Sequence, residues 1–349
     1  VWLKETPLTH FLPDGIYIST NDGVITVTDE ICRPEKEPNR HSVRHTVTDA
    51  EGNIAAESIS PAIAADSGVI PPAIRKNGVK YSISVQTLSV NNPIKWDIKN
   101  PYLYTLNTEL IEDGRTIETE SVKFGFRSIE FTCDKGFFLN GRHVKLHGSC
   151  EHHDLGALGA AQNKTALRRR LLQLREMGIN SIRTSHNMPS VELMEAADEM
   201  GFLILSEGFD MWERSKTEFD YGRFFKEHAA KDTAAWVRRD RNHPSLIAWS
   251  IGNEIYDVHA DERGQEVNSM LAFNVRLNDP RGNGYITSGS NYLQWENAQK
   301  CTDLFKLAGY NYGERLYDEH HKKHPDWMIY GSETASVVQS RGVYHFPLS

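Results

Sequence analysis

The chain has 349 residues, which at roughly 150 residues per domain sets an expectation of two domains, and its 39% apolar and 25% charged content is ordinary for a globular protein with cores that need no staples. A net charge of −8 argues against nucleic acid or an anionic membrane as main partner, and no apolar run approaches the roughly 18 residues of a membrane span. Cys32, Cys133, Cys150 and Cys301 are widely spaced, without a CxxC pair, and neither HExxH nor an EF-hand pattern appears among the histidines and carboxylates.

Residues 1–128 read as all-β. Short alternating runs recur at Gly15–Ser19, Val24–Thr28, Lys80–Val85 and Tyr104–Leu110. Turn sequences such as Asn21-Asp22-Gly23, Glu51-Gly52-Asn53 and Glu112-Asp113-Gly114 separate them. That grammar predicts a β-sandwich. Residues 129–349 change register, with strands now alternating with helices. Strands are expected at Val144–Gly148, Asn180–Thr184, Phe202–Ser206, Leu246–Ile251, Tyr285–Ser288, Leu304–Tyr310 and Met328–Ser332. Helices are expected at Thr165–Met177, Ser190–Met200 closed by Gly201, Phe224–Arg239, 262–277 and 314–323. Repeated βα units mean parallel strands, and seven in succession fit a (β/α)8 TIM barrel that lacks its last strand. The abrupt start, without Met, and the early stop together read as a fragment of a longer protein.

In such a barrel the chemistry sits at the C-terminal ends of the strands. The residues expected there are His147 and Cys150-Glu151-His152-His153-Asp154, then Ser185-His186-Asn187, Glu207, Asn253-Glu254, Asn311-Tyr312 and Glu333. Glu254 and Glu333 each follow an apolar strand and a glycine, on strands that stand on opposite sides of a barrel. Two such carboxyls flanking a scissile bond are what glycoside cleavage needs, one protonated near neutral pH and one ionised.

At these residues the chain resembles glycoside hydrolase family 2, the β-galactosidase, β-glucuronidase and β-mannosidase group. The resemblance runs through Trp96-Asp97, Asn100–Tyr104 and Phe124–Arg127, which look like that family's immunoglobulin-like domain, and Phe138–Gly141 with Leu146–Gly148, which look like its transition into the barrel. Its most specific pieces are Arg239–Ser245 leading to Trp249–Glu254, and Gly331-Ser332-Glu333. Val1–Lys4 looks like the end of a preceding jelly-roll domain.

The resemblance implies an immunoglobulin-like sandwich followed by the barrel, and a retaining mechanism with Glu254 as general acid/base and Glu333 as nucleophile. It places Asn253 on the sugar 2-hydroxyl, His152, His153, Asp154 and His186 on sugar hydroxyls, and Tyr312 beside the nucleophile. Arg183 is expected to hold the nucleophile's charge, the other reading being a buried ion pair. Glu207 matches a position that helps organise a divalent cation in metal-dependent members; otherwise it is a carboxylate bonded to neighbouring side chains. Trp212 and Trp295 are candidates to line a subsite. No cofactor is required, with a divalent cation as the one option. The expected partner is a carbohydrate, with no nucleic acid and no membrane, and a homo-oligomer is one option; the expected compartment is a bacterial cytoplasm or periplasm. The expected activity is exo-β-galactosidase, with β-glucuronidase, β-mannosidase or a non-catalytic carbohydrate-binding fragment as alternatives.

Overall fold

The computed structural model describes residues 3–334, so Val1 and Trp2 of the expected jelly-roll end lie outside the described residues. The N-terminal part comprises β1 (His10–Asn21), β2 (Val24–Pro34), β3 (His41–Thr48), β4 (Ile54–Pro61), β5 (Ile63–Ala65), β6 (Val79–Ser89), β7 (Tyr104–Glu112) and β8 (Arg115–Phe124). They form two antiparallel four-stranded sheets, in the orders β1-β2-β6-β5 and β4-β3-β7-β8. Period-two burial is plain in β3, where His41, Val43, His45 and Val47 point inward and the residues between do not. The two inner faces meet over Ile25, Val27, Val43, Leu106, Leu110 and Phe124. Burying each such side chain contributes about 1.5–3 kcal/mol.

A small antiparallel sheet follows, of β9 (Ile129–Thr132), β10 (Gly136–Leu139) and β11 (Arg142–His143). Phe131, Phe137 and Leu139 from it pack against Leu203, Ile247 and Leu307, which stand at or next to the first residues of three strands of the next domain. The small sheet therefore plugs the N-terminal end of the parallel sheet and leaves the C-terminal end open.

That parallel sheet is built from β12 (Gly148–His152), α1 (Lys164–Glu176), β13 (Ser181–Ser185), α2 (Val191–Met200), β14 (Leu203–Glu207), α3 (Gly222–Asp240), β15 (Leu246–Asn253), α4 (Tyr256–Ala260) and α5 (Glu262–Asn278). It continues through β16 (Tyr285–Ser290), α6 (Glu296–Asp303), β17 (Leu307–Asn311), α7 (Tyr317–Lys323) and β18 (Met328–Glu333). The seven strands lie side by side in chain order, an incomplete TIM barrel after an immunoglobulin-like sandwich. β13, β14, β15 and β17 are buried along their whole length, whereas the two edge strands β12 and β18 are largely exposed or half-buried. The two edges still touch, since the Cys150 thiol lies 3.4 Å from the Ser332 backbone carbonyl. No helix among the described residues is long and apolar enough to cross a membrane.

Two expectations need correction. The first barrel strand is Gly148–His152, not Val144–Gly148. The Asn180 side chain accepts from the His147 amide and donates to the Lys145 carbonyl, which holds Lys145–His147 as a non-strand lead-in. Helix α6 was not expected, because Glu296–Asp303 is almost wholly polar in sequence; it buries Gln299 and Thr302 alongside Ala298 and Cys301. The helix α2 ends as expected at Gly201, whose φ of +70° is left-handed and whose absent side chain makes room for the Ile98 carbonyl.

The Arg239–Ser245 run joins the two parts. Asn242 accepts from the Ile18 amide at 2.8 Å and donates to the Ile16 carbonyl at 2.8 Å, so its amide completes an edge of β1. Arg241 reaches the Asn278 and Asp14 carbonyls and lies 4.4 Å over the Tyr17 ring. His243 pairs with Asp198 at 2.5 Å, and Pro244 sits where a side chain at Gly125 would stand. Just upstream, Arg238 pairs with Glu30 of β2. This run fixes the sandwich to the barrel and stays out of the barrel mouth.

Candidate active site

The mouth of the barrel is organised around one guanidinium. Arg183 on β13 is 4% exposed and bonds residues of three other strands at once. Its Nε and Nη2 donate to Glu207 Oε2 of β14 at 3.0 and 2.7 Å, Nη2 also to Asn253 Oδ1 of β15 at 2.8 Å, and Nη1 to Glu333 Oε1 of β18 at 2.7 Å. The same guanidinium thus bonds Glu333 and forms a buried ion pair with Glu207. It fits only because position 289 is glycine: a Cβ there would lie 2.5 Å from Arg183 Nη2 and 3.0 Å from Asn311 Oδ1.

Glu207 is fully buried and spent. Besides Arg183, its Oε2 accepts from Ser250 Oγ at 2.6 Å, its Oε1 meets His186 Nδ1 at 2.7 Å, and its backbone amide donates to Thr184 Oγ1 at 2.8 Å. A carboxylate with both oxygens engaged this way orients Arg183 and His186. Glu207 is thus a carboxylate bonded to neighbouring side chains on both oxygens.

Glu333 ends β18 and turns its carboxylate into the mouth. Oε1 takes the Arg183 bond with His186 Nε2 3.7 Å away, and Oε2 accepts from the Tyr312 hydroxyl at 2.6 Å. Burial alone would raise its pKa, but the hydrogen bonds from Tyr312 and Arg183 and the positive charge of Arg183 outweigh that and hold the carboxyl below its ordinary value. Tyr312 is placed by its own backbone, at φ +53° with its amide donating to the Glu333 carbonyl at 2.8 Å.

Glu254 follows β15 in the same unusual conformation, φ +46°, with its amide bonded to the Gly289 carbonyl at 2.8 Å. Non-glycine residues hold this conformation at a cost of about 1–3 kcal/mol, and it lets a residue just past a strand end turn into the mouth. Glu254 Oε1 accepts from Asn311 Nδ2 at 3.1 Å, and the same Nδ2 bonds Asn253 Oδ1 at 3.0 Å. Ser332, next to Glu333, donates to Asn311 Oδ1 at 2.6 Å. Asn311 therefore ties the two carboxylate-bearing strand ends together. Asn253 gives one N–H to Asp210 at 2.8 Å, and Lys216 grips both Asp210 Oδ1 at 2.7 Å and the Asn253 carbonyl at 2.9 Å.

The structure brings Arg183, His186, Asn253, Glu254, Tyr312 and Glu333 into one connected network. His152 reaches its edge, its ring standing perpendicular to that of His186 at 5.3 Å. His153 and Asp154 bond within their own loop, His153 Nε2 with the Ala160 carbonyl at 3.1 Å and Asp154 Oδ1 with the Gly156 amide at 2.6 Å. A narrow cleft lined by His152, His153, Arg170 and Asn187 has neither Glu254 nor Glu333 among its lining residues. Trp212 is fully buried and donates to the Ile251 carbonyl, so it lines no subsite. Trp295 is 50% exposed and packs with His259 and Tyr292. Asn311, Gly289, Ser250, Asp210 and Lys216 were not among the expected site residues; of these only Asn311 stood at an expected strand end.

Residues 131–327 match the model of Glycosyl hydrolases family 2, TIM barrel domain, and residues 14–127 that of Glycosyl hydrolases family 2. The chain belongs to glycosyl hydrolases family 2. A β-galactosidase of Bacteroides ovatus is 33% identical over 99% of this chain and 43% of its own length. A putative β-glucuronidase of Formosa agariphila is 34% identical over 83% of the chain and 26% of its own. The crystal structure of a glycosyl hydrolase family 2 member from Bacteroides cellulosilyticus superposes with a TM-score of 0.85 at 31% identity, covering 94% of this chain and 41% of that one. The chain spans less than half the length of these relatives. Family 2 membership accounts for the sandwich-to-barrel order and for the run that joins the two parts.

Proposed function

We propose that this chain carries the catalytic centre of a retaining exo-β-glycosidase acting on terminal β-galactosides. The observation that carries the reading is Glu333, a carboxylate kept ionised by Tyr312 and Arg183 at the mouth of a family 2 barrel, with Glu254 joined to it through Asn311 and Ser332. In this account the Glu333 carboxylate attacks the anomeric carbon while Glu254 gives its proton to the leaving oxygen. Glu254 then takes a proton from water, which displaces Glu333 and releases the sugar with its configuration retained. Asn253, clamped by Asp210, Arg183 and Asn311, presents its amide at the sugar 2-hydroxyl. His186 and His152 border the same sugar. Preorganised groups of this kind need no rearrangement as charge develops.

Galactose is the first choice because the β-galactosidase of Bacteroides ovatus aligns with nearly the whole chain. Glucuronic acid is the second, because relatives in Formosa agariphila and Bacteroides fragilis carry the β-glucuronidase name. Hydrolysis of aryl β-galactoside, glucuronide, mannoside and glucoside by this chain, with Glu333→Gln as control, tests the reading. Release from the galactoside that disappears in the control supports it; release from the glucuronide alone replaces the sugar; silence on all four contradicts catalysis by this chain.

A further inference from the structure

Outside the barrel, β3 carries two inward-facing histidines four residues apart, and they are treated differently. His45 is satisfied at both ring nitrogens, by Thr108 Oγ1 at 3.1 Å and Asp29 Oδ2 at 3.0 Å. That is the ordinary condition of a core histidine. His41 is equally enclosed, its side chain having no solvent exposure, yet neither of its ring nitrogens makes a hydrogen bond. Leaving such groups unpaired costs about 1–3 kcal/mol. Its Nε2 is directed at two carboxylates, Glu112 Oε1 at 3.4 Å and Glu37 Oε1 at 3.9 Å. One ligand atom from each of the three residues lies within 4.8 Å of the other two.

The backbone holds this geometry. His41 and Glu112 are directly opposite each other in the β3–β7 pairing. Glu37 comes from the turn between β2 and β3, where its amide bonds the Pro34 carbonyl and Arg33 bonds its own carbonyl. Thr9 Oγ1 donates to Glu37 Oε2 at 2.6 Å and leaves Oε1 facing the histidine. Among the described residues no Lys or Arg pairs with either carboxylate. The site thus concentrates two negative charges on an unpaired imidazole.

We propose that Glu37, His41 and Glu112 form a divalent-cation site, with zinc the ion its donors fit. Imidazole nitrogen and carboxylate oxygen are both zinc ligand types, and the buried imidazole favours zinc over the all-oxygen cations, with water free to take the fourth position. Zinc bonds of about 2.0–2.2 Å place tetrahedral ligand atoms roughly 3.3 Å apart, close to the 3.4 Å between His41 and Glu112. Small rotations of Glu37 close the remainder. The carboxylates are 25% and 35% exposed at the side chain, so an ion reaches the site from solvent while His41 stays buried. Thr9 acts as the outer partner that orients one ligand. Bound there, the ion pins the β2–β3 turn to the end of β7.

The test uses the whole chain, stripped with chelator and titrated with Zn²⁺ by calorimetry, with Co²⁺ absorption reporting a nitrogen–oxygen ligand field. Wild type is expected to hold a zinc equivalent whose affinity falls about tenfold or more in Glu112→Gln, since loss even of an outer partner typically costs that much. The zinc-induced rise in melting temperature should disappear in the same variant. His41→Gln is the direct deletion; Glu112→Gln, at a half-exposed position, keeps the test decisive if that buried variant fails to fold. Zinc bound with equal stoichiometry and affinity by wild type and Glu112→Gln, or no zinc bound by wild type, overturns the proposal.

Discussion

Replacing Tyr312 by Phe removes the hydroxyl's hydrogen bond to Glu333 and leaves Arg183 and His186 beside that carboxylate. The bond is short, 2.6 Å, and it goes to an ionised oxygen, so it belongs to the charge-assisted class worth about 1.5–3 kcal/mol. Tyr312 is 44% exposed, which places the effect at the low end after screening, about 1.5 kcal/mol. That energy corresponds to about one pH unit. The sign follows from which form is favoured: Tyr312 donates to the carboxylate, so its loss raises the Glu333 pKa. The nucleophile must be ionised, and the acid limb of kcat/KM against pH should therefore move up by about one unit. Rates on the alkaline side of that limb should change far less, because Arg183 still neutralises the carboxylate there. The assay is kcat/KM on the aryl glycoside that the wild-type chain cleaves, measured across the acid range for both proteins. An acid limb that stays put, or moves down, refutes the role given to Tyr312 and with it the origin of the depressed Glu333 pKa.

Gly289→Ala drives a methyl group into Arg183 Nη2 and Asn311 Oδ1, and misplacement on that scale should lower kcat about 100-fold, with an overpacking cost of about 1–3 kcal/mol in stability; unchanged kinetics would show that the network tolerates the shift. Glu254→Ala should slow substrates with poor leaving groups by about 10²–10⁴-fold and spare those with good ones, as measured on a series of aryl glycosides; equal slowing across the series contradicts the acid/base role. Glu207→Gln removes the buried charge that faces Arg183 and His186, and urea unfolding should report a loss of about 3–5 kcal/mol. His243 is held above its ordinary pKa: burial pulls it down, but the Asp198 charge and hydrogen bond more than offset this. Its contribution to stability is thus complete below about pH 6.5 and fades as pH rises through the higher folded value. His243→Gln should flatten the stability profile in that window and leave the carboxylate-dependent acid range unchanged.

Much of this architecture is legible in the residues because burial and periodicity coincide. Leu203–Glu207 and Leu246–Asn253 are buried on both faces, so they appear as short apolar runs, and Ser190 and Gly201 bracket α2 by capping chemistry alone. The first barrel strand was misplaced for the complementary reason. As an edge strand it is half-exposed, and Ser149-Cys150-Glu151-His152 carries no apolar run, whereas the neighbouring Val144-Lys145-Leu146 imitates one. Helix α6 buries polar side chains, which no apolar pattern records. At the site, strand ends drew attention to Glu254, Tyr312 and Glu333, and the family resemblance to Arg183. The supporting residues did not announce themselves. Gly289 matters through a side chain it lacks, and Ser250, Asp210 and Lys216 act through single hydrogen bonds that have no spacing rule. Trp212 illustrates the converse, an aromatic near a strand end that belongs to the core.

The central claim is that Glu333 forms a covalent bond to the sugar. Incubation of the chain with an activated 2-deoxy-2-fluoro-β-galactoside, followed by proteolysis and mass spectrometry, tests it directly, because the fluorine slows both formation and breakdown of a glycosyl-enzyme and the activated leaving group restores only the rate of formation. The expected result is one fluorogalactosyl group on the peptide containing Glu333, with no label in Glu333→Gln. Label on Glu254 or Glu207, or steady hydrolysis of the galactoside that gives the inverted anomer with no labelled peptide, would contradict it.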